Sequence, residues 1–401
     1  MSKRIGMVGT GFIAGGVSRL VKNHHPDLSI SQTLTRRSIR LSPDLSAQHP
    51  LTNSIEELID NCDLVFECSG DPVYATEVVD AAFSAGLPVV TMNAEFHVTT
   101  GSYFASRGHL TEAEGDQPGC LAKLREDMLQ MGFEPLVYGN MKGFMNHYPK
   151  REEMEMWSKR QGIAHEQTTS FTDGTKLQIE QVLIGNASGA TIVQQGMVGI
   201  ESDETYQAAS QLGALADKGG RPIADYILSR TQVPGVFITA KHDAIEQDSL
   251  RYYKLGDGPY YTLIRNYHLC AFEVVKTIRR TLSGGPILLN NSVSPTLSVA
   301  AVAKVAMPKG EHIVRATGGF LFRGEAVDIA SCPDHVPIGI LAGARLKRSV
   351  EPKQILTWDD VELKPSKAAG IASSIFQHRN ASLGAANGVA SMWPSHPSVK
   401  S

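Results

Sequence analysis

"MVGTGFIAGG", residues 7–16, decides the fold. Gly9, Gly11 and Gly15 form a G-x-G-x-x-x-G cluster after the apolar run "RIGMVG" and at the head of "FIAGGVSRLVKNH". In that second segment Phe12, Ile13, Val17, Leu20 and Val21 recur on one side of a helix. The first glycine permits a tight turn, and the second lets the backbone approach a pyrophosphate resting on the positive helix N-terminus. On that reading Gly9, Thr10, Gly11, Phe12 and Ile13 make a dinucleotide cradle. The alternative is a glycine turn in a domain that binds nothing.

The segments downstream favour the cradle. "LSISQTLTRR" reads as a second strand. "SIEELIDN" reads as a helix with Ser54 and Glu57 at capping-box spacing. "DLVFECSG" is an apolar strand, "DPVYATEVVDAAFSAG" a helix opened by proline and closed by glycine, and "LPVVTMNAE" another buried strand. Strands alternating with helices predict an α/β fold with a doubly wound parallel sheet of the Rossmann type, whose ligands sit at the carboxyl ends of the strands. The end of the second strand carries Arg36 and Arg37 and no acid. Guanidinium groups suit a ribose 2′-phosphate, so NADP(H) is the expected cofactor, against a solvated basic turn. Ser69, Gly70 and Asn93 end the next strands, where the nicotinamide lies; serine, glycine and asparagine are also ordinary turn residues.

Composition narrows the function classes. The chain has 401 residues, a net charge of −3 and 42% hydrophobic residues, so no basic field draws it to nucleic acid or an anionic membrane. No apolar run approaches the roughly 20 residues of a membrane span. The first residues run straight into a strand without a signal-peptide pattern, and the five cysteines form no C-x-x-C pair. A cytoplasmic, thiol-reduced protein acting on a small molecule is expected, as a homo-oligomer.

After residue 150 the texture changes. The expected division is a cofactor domain over 1–150, an α+β substrate domain over 151–298, a small β-rich module over 299–365, and a Ser-, Ala- and Gly-rich tail over 366–401. "TTSFTDGTKLQIEQVLIGNAS" reads as a strand, a turn at Asp173-Gly174, then a helix or strand.

Several strings are more specific: "VVTMNAE", "GDQPGCLAKL" (115–124), "YGNMKGF" (138–144), "TDGTKLQIE" (172–180), "GPYYTLIRNYHLCAFE" (258–273), and "VPIGILAGARLKR" running into "WDDVEL" (336–363). Through them the chain resembles the homoserine dehydrogenase-like oxidoreductases with a C-terminal SAF-type domain. That group includes type II 1-deoxy-D-xylulose 5-phosphate reductoisomerase. The resemblance implies an NAD(P)-dependent oxidoreductase with an SAF-like module at 299–365. One branch implies a sugar phosphate that is rearranged and then reduced. Homoserine dehydrogenases carry a lysine after the asparagine of the "MNAE" strand, where this chain has Ala94, and their catalytic Asp and Lys are matched only by Asp173 and Lys176.

Carbonyl reduction needs a cation near the oxygen that gains charge, and a proton source. Lys142 ends a strand beside the cofactor site, with Asn140 and Asn146 nearby as substrate contacts; its K-G-x-x-N spacing resembles the homoserine dehydrogenase segment. Lys176 shares a helical face with Asp173 and Glu180 if that stretch is helical. His268 can donate or accept near neutral pH, and Arg265 suits a substrate phosphate or carboxylate. The bland alternatives are surface lysines, a core histidine, and Asp116 with Gln117 as helix caps before Pro118. Lys304, Arg315, Arg323, Arg345, Lys347 and Arg348 of the last module are either lid contacts or part of a solvated surface or an oligomer contact. No clustered metal-binding motif is present; any Mg²⁺ would rest on scattered carboxylates such as Asp173 or Glu180. The rival functions are a hydroxy-amino-acid dehydrogenase and a non-catalytic NADP-binding sensor.

Overall fold

The computed structural model describes residues 2–39 and 50–377. Six short strands form the first sheet: β1 (Lys3–Val8), β2 (Leu28–Leu34), β3 (Leu51–Thr52), β4 (Leu64–Glu67), β5 (Val89–Thr91) and β6 (Leu110–Glu112). Their order is β3-β2-β1-β4-β5-β6 and every pairing is parallel, the doubly wound arrangement expected from the sequence. β4 is buried at all four positions, as an apolar strand covered on both faces must be. The helices begin where the sequence places caps. Ser54 accepts from Glu57 N at the start of α2 (Ile55–Asp60), and Asp71 accepts from Val73 N and Tyr74 N ahead of Pro72 in α3 (Pro72–Ser84).

α1 (Phe12–His24) follows the glycine turn, and its packing corrects the choice of third glycine. A Cβ on Gly15 would only reach the Arg19 guanidinium, whereas one on Gly16 would lie 2.6 Å from the Ala271 Cβ. Gly16→Val is therefore expected to cost about 1–3 kcal/mol by overpacking. Urea unfolding checks this, and Ala271→Gly in the same chain should return part of the loss.

The chain leaves the first sheet after Glu112. α4 (Gln117–Gln130) leads into β7 (Glu134–Lys142), a strand of a second, mixed sheet ordered β11-β10-β7-β9-β8. The other members are β8 (Ile200–Glu201), β9 (Ile223–Leu228), β10 (Gly235–Lys241) and β11 (Tyr261–Arg265). The boundary expected at residue 150 thus falls beyond β7, inside the second unit. α5 (Arg151–Gln161), α6 (His165–Thr172) and α7 (Thr175–Ser188) follow, and α8 (Thr205–Gly219) covers one face of the sheet through Ala208, Ala209 and Leu212. α6 replaces the strand expected at "TTSFT": Thr168 and Thr169 bond back to Ala164 O and His165 O, which lets buried threonines sit in a helix. Asp173-Gly174 is the expected turn, with Gly174 at φ 84°, and the segment after it is helix.

α9 (Cys270–Leu282) returns to the first unit, where Ala271, Val274, Val275 and Ile278 share a core with Ile5, Met7, Ala14 and Val17. The residues from 299 onward do not build a core of their own. β12 (Leu297–Ala303) pairs with β14 (Phe322–Asp328), and both pack on α7 within the core of the second unit. A three-stranded sheet of β13 (His312–Ile313), β15 (Ala344–Leu346) and β16 (Val361–Glu362) completes the module. Residues 367–377 are helical, and Ile371 joins the core beneath α3. The remainder of the expected tail, 378–401, lies outside the described residues. No helix among the described residues is long and apolar enough to cross a membrane.

Candidate functional site

The glycine turn has the geometry of a phosphate cradle. Gly9 sits at φ 112°, and a Cβ there would meet Cys68 O at 3.1 Å and the Ser69 Cα at 3.2 Å, so glycine is required. Gly11 has an ordinary φ, and a Cβ on it would meet nothing within 4 Å. Open space stands over the N-terminus of α1, which has no side-chain cap and no acid in its first turn. Phe12 beside it is exposed. These residues fit a dinucleotide pyrophosphate, with Thr10 and Ile13 completing the turn.

The arginines follow β2, beside the cradle. Gly9 N bonds Leu34 O, so the segment after β2 adjoins the cradle. Arg36 pairs with Asp71 at 2.7 Å and lies 4.6 Å from the Tyr74 ring centre. The Arg37 side chain is exposed, and its backbone N bonds Thr35 Oγ1. Ser69 N donates to the buried Glu67 carboxylate at 2.8 Å, and Gly70 is exposed with open space where a Cβ would lie. Asn93 is wholly buried. Its Oδ1 caps the next helical turn through Phe96 N at 3.1 Å, and its side-chain amide also meets the buried Glu67 carboxylate.

Two lysines gather at the carboxyl ends of these strands. Lys176, in the first turn of α7, reaches back to Glu95 at 3.2 Å and Asp116 at 3.6 Å. Burial works to lower its ammonium pKa, but Asp116, Glu95, Glu180 and Glu112 outweigh it and hold the group well above its ordinary value. Lys142, at the end of β7, lies 3.7 Å from Glu180 Oε2, which also accepts from Asn140 Nδ2 at 2.9 Å. The Gln117 amide, oriented by its surroundings, donates to Glu180 Oε1 at 3.2 Å and accepts from Lys142 at 2.9 Å. Burial pushes the Glu180 carboxyl up to about 7, against the pull of Lys142. The two lysine side chains are 18% and 12% exposed while Glu180 is 1% exposed, so the cations are more open to solvent than the carboxyl between them.

His268 lies in the loop before α9. Burial, reinforced by the Lys142 charge, pulls its imidazole below the ordinary value, so it is neutral at pH 7; its Nδ1 has no protein partner.

Four expected residues do other work. Asp173 does not share a face with Lys176: it pairs with Lys304 at 2.5 Å and accepts from Thr175 N at 2.9 Å, all within the core. Lys304 donates as well to Gly319 O, so it is a buried clamp and no lid contact. This clamp and the Gly324 N to Thr175 Oγ1 bond fix the start of the helix that carries Lys176 and Glu180. Arg265 pairs with Glu114 and Glu273, and Lys276 adds itself to both acids. Its charge is balanced inside the protein. The Asn146 Oδ1 accepts from Tyr148 N, which shapes the loop after β7. Sequence reasoning gave no role to Glu95 and held Asp116 and Gln117 between chemistry and capping. Asp116 does cap α4, and both also belong to the cluster. Glu95 closes "MNAE" at the end of a central strand, the signal that could have found it. Among the described residues no group of three or more ligating side chains could hold a metal ion.

The Glu180 shift gives a pH test. A carboxyl raised in the fold contributes stability that is complete below its unfolded pKa of about 4.5 and lost as pH rises through about 7. Between those limits the chain is expected to lose about 3 kcal/mol relative to Glu180→Gln. Urea unfolding of both proteins at pH 4.5 and pH 8 measures it.

Cradle, strand ends and paired lysines together define an oxidoreductase with an NAD-binding domain. Residues 9–105 match the family model of the homoserine dehydrogenase NAD-binding domain, and residues 115–274 match that of the oxidoreductase DRL catalytic domain. The chain thus pairs a segment similar to a homoserine dehydrogenase NAD-binding domain with one similar to a DRL-type oxidoreductase catalytic domain. A putative LysW-L-2-aminoadipate/LysW-L-glutamate phosphate reductase of Nitrosopumilus maritimus is 31% identical over 104 residues, 24% of this chain and 29% of that protein. The counterpart from Cenarchaeum symbiosum gives the same figures, so this chain spans under a third of the length of these relatives. Similar solved structures include a homoserine dehydrogenase from Thiobacillus denitrificans (TM-score 0.46, 14% identity, 78% of this chain and 84% of that one). Another is scyllo-inositol dehydrogenase from Lactobacillus casei (TM-score 0.41, 11% identity, 73% and 92%).

Proposed function

We propose that this protein is an NADP(H)-dependent oxidoreductase that passes a hydride between the nicotinamide and a small polar carbonyl or polyol compound. The Lys176–Glu95 contact carries the reading. It sets a buried ammonium at the carboxyl end of β5, where the nicotinamide of a cofactor seated on Gly9–Ile13 reaches. Bound there, the nicotinamide supplies or accepts the hydride. Lys176, held charged by its carboxylates, stabilises the negative charge growing on the substrate oxygen. Lys142 hands that oxygen a proton and regains it from Glu180, while Asn140 and Gln117 hold the Glu180 carboxyl toward Lys142. Ala94 leaves the lysine position of homoserine dehydrogenases empty, and Lys176 brings a cation to the same turn from another helix. The β-rich module, SAF-like by its sequence, anchors that helix through Lys304.

The internal pairing of Arg265 removes the expected phosphate anchor, which favours an unphosphorylated substrate over a sugar phosphate. The test is NADPH oxidation with unphosphorylated hydroxy-carbonyl compounds and with 1-deoxy-D-xylulose 5-phosphate, each with and without Mg²⁺, with NADH as control. Turnover confined to the unphosphorylated compounds is expected. Turnover of the phosphate ester would restore the isomerising reaction, and tight NADPH binding without any turnover would make the protein a sensor. Replacing Arg36 and Arg37 by serine is expected to weaken NADPH about ten- to a hundredfold, the worth of charge-assisted hydrogen bonds, and to leave NADH unchanged in a fluorescence titration.

A further inference from the structure

A second cleft, of about 340 Å³, opens at the junction of the two units, away from the lysines. Its walls are the middle of α4, the last turn of α7, and the segment 287–292. That segment runs along the edge of the first sheet, bonded through Leu288 N to Thr111 Oγ1 and through Glu112 N to Leu289 O. The volume and the position between units suit a small organic ligand. The lining mixes apolar side chains, Ala122, Ile184, Ala187 and Leu288 among them, with the polar Arg125, Glu126, Ser188 and Asn290.

One charge stands out. Arg125 borders the cleft, half-buried, with its Nε bonded to the Tyr138 hydroxyl at 3.0 Å. Tyr138 is 2% exposed and its phenol also meets the Ser188 hydroxyl, so the guanidinium is steered by a fixed group. The neighbouring charges are neutralised. Glu126 is taken by Arg280 through two bonds, and Lys123 by Asp127. Arg125 has no carboxylate in ion-pair range among the described residues. A guanidinium fixed at Nε keeps both terminal nitrogens free, in the planar fork that grips a carboxylate with two hydrogen bonds.

We infer that the cleft walled by Arg125, Ser188 and the apolar side chains of α4 and α7 binds a small organic carboxylate, its charged end on Arg125 and its apolar body on Ala187 and Leu288. The site bears on the reaction centre because the same two helices carry both. Eight residues of α4 separate Arg125 from Gln117, and eight of α7 separate Ile184 from Lys176, each a span of about 12 Å. A ligand wedged between the middle of α4, the last turn of α7 and the edge of the first sheet biases how the units sit against each other, making it an effector and not a substrate.

The test reads stability and does not depend on the catalytic assignment. The full chain is unfolded thermally with 20 mM hexanoate, benzoate or hexylammonium. Both carboxylates are expected to raise Tm by about 2 °C, the shift that ligand excess produces in a chain of this size, and hexylammonium to leave it unchanged. Arg125→Leu should abolish the shift and keep NADPH binding. Ala187→Trp, which fills the cleft from its exposed rim with Arg125 intact, should abolish it too, and decides the matter if the leucine variant does not fold. The inference is overturned by no shift, by an equal shift with hexylammonium, or by a shift that survives either substitution. It is also overturned if Arg125→Leu lowers the mass seen by light scattering, because the arginine then meets an acidic group of a second copy.

Discussion

Lys176→Met is expected to lower kcat for NADPH-dependent turnover by about a hundred- to a thousandfold while NADPH binding stays within about twofold of the wild type. The rate loss follows from removing a preorganised cation at the oxygen that gains charge, where a single stabilising group contributes that much. Cofactor affinity survives because the cradle lies on other elements, Gly9–Ile13 and the loop after β2. The substitution also has a structural cost. Glu95 and Asp116 each lose their ion pair with Lys176, and breaking a buried pair costs about 3–5 kcal/mol. The two effects can be separated. Lys176→Met combined with Glu95→Gln removes one of the uncompensated charges, so stability should recover in part while kcat stays low. Recovery of kcat together with stability would reduce Lys176 to a scaffold residue and move the chemistry to Lys142. Stopped-flow traces of NADPH absorbance, beside urea unfolding of the same proteins, give both readouts.

How far the sequence reveals this arrangement depends on the range of the interaction. The first sheet was legible because its signals are local: a glycine turn between strand and helix, Ser54 and Pro72 at helix starts, apolar runs of strand length. Lys142 and Glu180 were legible as candidates, since their strings match a family. Their partnership was not, because β7 and α7 come together only through the second sheet and its core. Asp173 shows the limit most clearly. Three residues from Lys176, it reads as that lysine's partner, yet it is claimed by Lys304, 131 positions away. An ammonium delivered from the β-rich module cannot be foreseen from spacing. Arg265 fails in the same way: the acids that neutralise it come from the segment after β6 and from α9, and local sequence shows a free arginine. Charges are thus the hardest residues to assign from sequence. A cation's availability depends on which distant carboxylates reach it, whereas a glycine's role depends on the turn it occupies.

That difference gives the sharpest test of the cofactor site. Gly11→Asp is expected to leave the protein as stable as the wild type, or more stable by about 1 kcal/mol, and to weaken NADPH binding at least a hundredfold. Gly11 adopts φ −85° as N-cap of α1, a conformation open to any residue, and a Cβ there meets no protein atom. Aspartate is among the best N-caps, and α1 has no side-chain cap of its own, so the new carboxylate satisfies an amide of the first turn and opposes the helix dipole favourably. The same carboxylate fills the space a pyrophosphate needs and sets a negative charge against it. A mutation that strengthens the helix and abolishes the ligand has no explanation in folding. Gly9→Ala is the contrasting control. At φ 112°, with Cys68 O 3.1 Å from the added Cβ, it should destabilise the turn by about 1–3 kcal/mol as well as weaken the cofactor. Isothermal titration with NADPH and thermal unfolding of the two variants read both quantities. Unchanged NADPH affinity in Gly11→Asp would place the cofactor elsewhere and turn the glycine cluster into an ordinary turn.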